Sequence, residues 1–289
     1  MKFKTVIVFI IFFIASQSAF AQDLSIYCAA PHDLSKSSTQ ALSKVTGATY
    51  ISQNIANAII KRELRNSAGM KGLKVNIKSF SANDLLAGRF KSLTIKGSNL
   101  NFDGIYISKF NAQTICDFNN IRATKTPVIF RDNFAMKYAM TFTDTDIKKT
   151  VASQKYHAIL AMINIKSIGL DLFKLKDVDV KLKDDKFVFL LKMDNRVFGY
   201  NMPINMEVST KLKVENGRIK TTELAFEGLN QKINLTQLTN VLNLINPLSV
   251  STNILGNENA KVAVENLKIE KSRLVLDGTV FVPKSQKIY

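Results

Sequence analysis

The chain has 289 residues, 46% of them hydrophobic, enough for a sizeable core in one large or two small domains and too apolar for bulk disorder. Its 40 basic and 23 acidic residues give a formal charge of +17, which favours partners of negative charge. Two isolated cysteines are too few for a structural zinc site, and having only His32 and His157 argues against a His-rich metal or triad site.

Lys2 and Lys4 precede an apolar run at residues 6–14, and Ala19-Phe20-Ala21 supplies a small-x-small cleavage site. Residues 1–21 therefore read as a secretory signal peptide cut before Gln22. The alternative is an uncleaved anchor, but its apolar core is short of the ~20 residues a span needs. Tyr27 before Cys28 argues against a lipoprotein. Without Lys2 and Lys4 the mature chain keeps a strong positive charge. An exported basic protein, periplasmic or secreted, meets anionic lipid headgroups, membrane surfaces or envelope polymers and proteins rather than nucleic acid. The plainer alternative is that lysines solvate the outer face of a sheet. Export also permits a disulfide between Cys28 and Cys116. It would close a loop spanning 88 residues and stabilise by about 4–5 kcal/mol.

Residues 22–39 are polar and serine-rich, interrupted by Pro31, and read as a flexible lead-in. A helix is predicted over residues 39–66, with Ile51, Ile55, Ile59 and Ile60 as an apolar stripe and Gly47 as a kink or break. Lys61, Arg62 and Arg65 fall in its last turns, where cations complement the helix dipole. Ile55, Ile59 and Leu64 could face acyl chains. Packing on a sheet is the commoner use of such a stripe.

Residues 72–114 read as a β-meander. Leu73, Val75 and Ile77 alternate with polar residues, as do Leu93 and Ile95. Asp103-Gly104 closes a hairpin that sets Phe102 opposite Ile105 and Leu100 opposite Ile107. The apolar phase flips between Ile95 and Leu100, which predicts a bulge near Gly97. A basic connector at 121–133 leads to a strand at 136–142. A second helix over 144–162 carries Ile147, Val151 and Ile159, capped by Thr143 or Asp144. Asp144 and Asp146 could hold a cation, but capping explains them more simply. His157 on this helix reads as a surface or packed side chain.

In the second β region, 176–226, Asp184-Asp185 faces Leu182 with Phe187, Val180 with Phe189 and Val178 with Leu191. Asp177, Asp179, Lys181 and Lys183 form the solvated face. Val188 and Leu190 make the partner strand apolar on both faces, so it should be covered on both. Met202, Ile204, Met206 and Val208 share one phase. Methionines suit either an adaptable binding surface or an irregular core. Asn216-Gly217 pairs Val214 with Ile219, and Leu224 and Phe226 then require another bulge. A third helix over 234–247 presents Leu235, Leu238, Leu242 and Ile245. Asn234-Leu235-Thr236 matches a glycosylation acceptor. A last hairpin pairs Ile269 with Leu274 and Leu267 with Leu276. The pattern is α+β: a domain over 40–289 with a long, strongly curved antiparallel sheet against two or three helices. Two helix-plus-meander passes, 40–120 and 134–283, hint at duplication.

Asp84, Leu85, Leu86, Gly88, Arg89 and Phe90, followed by Gly104 and its flanking Ile105 and Ile107, resemble the LmeA-like family of exported phospholipid-binding proteins. The later half, 140–283, continues the likeness. The resemblance implies a tubular lipid-binding (TULIP-like) architecture around an apolar groove.

No G-x-S-x-G elbow, Walker A loop or G-x-G-x-x-G is present, so neither an enzyme nor a cofactor protein is expected. The leading expectation is a phospholipid-binding protein. Its wall residues would be Ile55, Ile59, Phe187, Phe189, Leu191, Met202, Ile204 and Met206, and its headgroup residues Lys61, Arg62, Arg65 and Arg89. The alternatives are an adaptor that docks its basic face on an envelope complex or anionic polymer, and an exported hydrolase, for which a clustered nucleophile and base are missing.

Overall fold

The computed structural model describes residues 24–68, 71–102, 104–122, 129–162, 173–197, 200–227, 235–248, 261–270 and 272–285. The segment 1–21 and Asn234 lie outside the described residues. After a 3-10 turn at Leu24–Tyr27 come α1 (Ser37–Val45), α2 (Ala48–Ala68), β1 (Lys71–Lys78), α3 (Ala82–Leu86), β2 (Arg89–Phe90), β3 (Ser92–Phe102), β4 (Ile105–Thr114), β5 (Asn119–Arg122), β6 (Ile129–Phe130) and β7 (Phe134–Thr143). The chain continues through α4 (Asp144–Val151), α5 (Gln154–Met162), β8 (Phe173–Lys183), β9 (Lys186–Val197), β10 (Tyr200–Glu215), β11 (Arg218–Glu227), α6 (Leu235–Ile245), β12 (Lys261–Glu270) and β13 (Arg273–Val282).

The class is α+β, and the described strands pair antiparallel. The expected single long sheet is divided. Six strands run in the order β1-β3-β4-β7-β13-β12, and four in the order β11-β10-β9-β8, with β2, β5 and β6 as a small third sheet. The division follows from the path of the chain. It leaves β7 through α4 and α5, builds the second sheet as a meander, and returns in β13 to pair with β7. Among the described residues both large sheets end in edge strands, so the ladders do not close into a tube.

Helix α4 joins the two sheets. Thr143 caps it in a capping box with Asp146. Asp144 Oδ1 accepts from the Leu182 amide of β8 at 3.0 Å, and Thr150 Oγ1 accepts from the Tyr106 amide of β4 at 2.9 Å. Ile147 and Val151 are buried beneath it. The acidic pair is thus occupied by capping and inter-sheet bonding. A second junction is the β10–β11 turn, where the Val264 amide of β12 donates to the Gly217 carbonyl at 3.0 Å.

Hairpin registers follow the alternation. Phe102 pairs with Ile105, Leu182 with Phe187, Val214 with Ile219, and Ile269 with Leu274. The bulge required before Leu224 occurs, with Glu223 at φ 52°. The bulge expected near Gly97 does not form between β3 and β4. Their register is continuous from Thr94–Gln113 to Phe102–Ile105. Both strands change inward phase together, Ile95 and Gly97 giving way to Leu100, and Phe110 to Ile107, with Asn99 at φ 51°. The irregularity near Gly97 lies on its other side, in the β1–β3 pair, where the register shifts between Lys71–Ser98 and Lys74–Lys96.

The lead-in, which reads as loose in the sequence, is anchored along the described residues. Cys28 and Cys116 form a disulfide, Tyr27 packs on Phe281 with ring centroids 5.2 Å apart, and His32 Nε2 meets Asp132 Oδ2 at 2.8 Å.

Candidate functional site

A continuous row of buried apolar side chains lies on β8, β9 and β10. Phe187 and Phe189 are fully buried and stack edge-on at 5.2 Å between centroids. Across β8 they face Leu182 and Val180, and across β10 they face Thr210 and Val208. Leu191 extends the row between Val178 and Met206. Period-two alternation puts all of these on one side, and the twist of the sheet brings neighbouring rows together. Thr210 is the polar exception. Its hydroxyl donates to the Thr222 carbonyl at 2.6 Å, so its burial leaves no orphaned group.

The opposite face is wet, as alternation requires. Asp177 pairs with Lys192 at 3.0 Å. Val188 on that side is nevertheless buried, flanked across the strands by Lys181 and Ser209. Lysine stems can cover such a residue while their ammonium groups stay in water.

Helix α6 fastens to this sheet, and α5 fastens to α6. Asn243 of α6 accepts from the Thr221 amide of β11 at 2.9 Å and from its hydroxyl at 2.8 Å. Tyr156 of α5 donates its hydroxyl to the Ile245 carbonyl of α6. Burial pushes that phenol well above its ordinary range, so it stays a donor.

The structure gathers Phe187, Phe189, Leu191 and Met206 on this face. Met202 and Ile204 belong to β10, but their side chains lie outside the described residues. Ile55 and Ile59 are not brought to it. They sit on the outward side of α2, 56% and 43% exposed, while Ala56, Ile60 and Leu64 face the core and α2 packs on β1 and β3. Lys61, Arg62 and Arg65 are exposed on the same outward side.

Arg89 has a different setting. Its Nη2 lies 3.3 Å from Asp84 Oδ1, and Asp84 is fully buried. Asp84 also accepts from the Ser35 amide at 2.9 Å, the Ser35 hydroxyl at 2.7 Å and the Ser81 hydroxyl at 2.6 Å. Burial alone would push this carboxyl up. The Ser81 and Ser35 hydrogen bonds and the Arg89 charge outweigh it and hold the carboxyl below its usual range. The sequence carried one signal for this latch, the Ser81-x-x-Asp84 cap; nothing local pointed to Ser35, 49 positions away. Gly88, between the two charged residues, has φ +85°, and a Cβ there would stand 2.1 Å from the Ile121 carbonyl oxygen of β5. The Asp84-to-Phe90 motif is thereby explained as a buried latch and a close backbone crossing.

Among the described residues no group of three or more His, Cys, Asp or Glu could hold a metal, and no helix is long and apolar enough to cross a membrane. The LmeA-like phospholipid-binding family matches residues 47–279. The chain belongs to that family. Comparison with curated proteins and with solved structures found no match. The LmeA-like span begins at the turn into α2 and ends in β13, so it takes in the Asp84–Arg89 latch and the Phe187 face. Cys28 and Ser35, which fasten the preceding segment, lie before it.

Proposed function

We propose that this LmeA-like protein is an exported, non-enzymatic carrier that holds phospholipid acyl chains against the inner face of β8–β10, within a tubular lipid-binding architecture. The single observation that carries the reading is the buried apolar row of Phe187, Phe189, Leu191 and Met206 in a phospholipid-binding family. Acyl recognition needs apolar length more than specific contacts. Ten methylenes moved out of water contribute about 8 kcal/mol. Exposed cations on the outward side of α2, Lys61, Arg62 and Arg65, offer partners to phosphates at the protein surface, not to the headgroup of a lipid held on β8–β10. Arg89 is already engaged by Asp84 and is left out of that set. Export rests on residues 1–21, with cleavage near Ala21, and a disulfide is in keeping with an oxidising compartment. The role served is lipid transport or homeostasis in the envelope.

Native mass spectrometry of protein purified from two unrelated hosts tests this. The expected result is a population carrying phospholipid that extracts into organic solvent. The bare chain from both hosts overturns it.

One observation favours a second reading. Phe187 and Phe189 are fully covered by the protein itself, as in a filled core. The protein would then be an adaptor whose basic face docks on an anionic envelope partner. Salt-sensitive retention on an anionic polymer, without bound lipid, is its signature.

A further inference from the structure

Helices α1 and α2 meet at a sharp turn that projects apolar side chains into water. Gly47 makes the turn at φ +73°, and a Cβ built on it would meet nothing within 4 Å. Within ten residues around it lie Leu42, 63% exposed, Val45, 87%, Tyr50, 68%, and Ile51, 59%. The turn is fixed rather than frayed. The Thr46 amide donates to the Leu42 carbonyl at 2.9 Å, the Ser43 and Thr49 hydroxyls meet at 2.8 Å, and the Ala82 amide of α3 donates to Ser43 Oγ at 3.1 Å.

The outward side of α2 continues from this tip. Ile51, Ile55 and Ile59 recur every four residues, and Arg62 and Arg65 follow at intervals of three, so they form one stripe. Lys44 and Lys61 flank it. Between residues 36 and 66 every exposed charged side chain is cationic; the one acidic residue, Glu63, is half-buried. Isolated exposed apolar residues need no explanation, but a run of this length, on a rigid turn and rimmed by one sign of charge, does.

We infer that the α1–α2 turn and the outward stripe of α2 form a docking surface for an anionic phospholipid bilayer. Leu42, Val45, Tyr50 and Ile51 enter the headgroup boundary, and Lys44, Lys61, Arg62 and Arg65 pair with lipid phosphates. Charge complementarity selects this occupant, because apolar anchors beside cations and without exposed carboxylates are what an anionic interface attracts. A second copy of the same surface would bring like charges together. The inference rests on the proposed phospholipid function for its choice of a bilayer, and it assigns the site at which the protein meets its lipid source.

The chain has no tryptophan, so Ile51→Trp places a single reporter on the stripe. Mature Ile51→Trp protein is mixed with vesicles of phosphatidylcholine alone or of equal parts phosphatidylcholine and phosphatidylglycerol. The expected result is a blue shift and quenching by brominated lipid with the anionic vesicles, weakened at high salt. V45D/I51D should bind these vesicles at least about tenfold more weakly than the wild type, while native mass spectrometry shows its bound lipid unchanged. Absence of a blue shift, or equal vesicle binding by V45D/I51D, overturns the inference. So does an Ile51→Trp emission that is already blue-shifted without vesicles and dilutes out with a dimer, because the stripe is then a self-interface. Vesicle binding by a chain that carries no lipid sinks the carrier reading and leaves the docking surface standing.

Discussion

Replacing Asp84 by alanine tests the latch that ties the N-terminal segment to the family motif. The carboxylate is fully buried, with three hydrogen-bond donors at 2.6, 2.7 and 2.9 Å and Arg89 Nη2 at 3.3 Å. Truncation leaves Arg89, whose side chain is 15% exposed, without its counter-charge. Breaking such a pair from one side costs about 3–5 kcal/mol. Hydrogen bonds to a charged acceptor contribute roughly 1.5–3 kcal/mol each, so the estimate does not depend on the ion pair alone. In urea unfolding, Asp84→Ala should lower the midpoint strongly with little change in slope. Asp84→Asn keeps the shape and should fall between the two. A loss below about 1 kcal/mol for Asp84→Ala would show that the latch is not energetically coupled.

The same residue sets the sign of an acid transition. Its folded pKa is depressed, so the unfolded chain takes up the proton first. The contribution is complete above the unfolded value, about 3.9, and is lost as pH falls through the folded one. Asp84→Asn should flatten that limb of the stability curve, and an identical limb in both proteins refutes the assignment.

Reducing the Cys28–Cys116 bridge, which spans 88 residues, should cost about 4–5 kcal/mol in the chain-entropy account and expose the segment before α1 to protease; an unchanged melting midpoint in reductant counts against it. Gly88→Ala forces a left-handed φ and a clash with the Ile121 carbonyl, so it should lose at least about 2 kcal/mol in chemical denaturation. Tyr156→Phe removes the donor to the Ile245 carbonyl and should cost about 1–2 kcal/mol by the same assay, a loss absent if the bond is not made. Stripping bound lipid should lower the thermal midpoint, and adding phospholipid back should raise it again with the logarithm of its concentration.

Local pattern carried much of the fold. Each hairpin combined period-two alternation with a two-residue turn, and these together fix the register, as at Leu182–Phe187 and Val214–Ile219. The pairing of β7 with β13 was not legible. Thr143 pairs with Arg273, and nothing near either residue encodes a contact across that stretch of chain. The division into two sheets depends on that pairing, so it stayed hidden too. The latch was half legible for the same reason, since Ser81 capped Asp84 locally while Ser35 arrived from a distant segment.

Helix α2 shows where periodicity runs out. It carries two apolar rows, Ile51–Ile55–Ile59 and Ala56–Ile60–Leu64, and both satisfy helical spacing. A sequence cannot say which row meets the sheet, because that choice is made by β1 and β3. Leu64 is fully buried whereas Ile51 is 59% exposed, so the sheet takes the second row. A helix apolar on two sides and covered by protein on one needs something to cover the other. The basic residues at the end of the uncovered row limit what that can be, which is why the ambiguity that defeated the sequence reading becomes evidence for a membrane-facing surface.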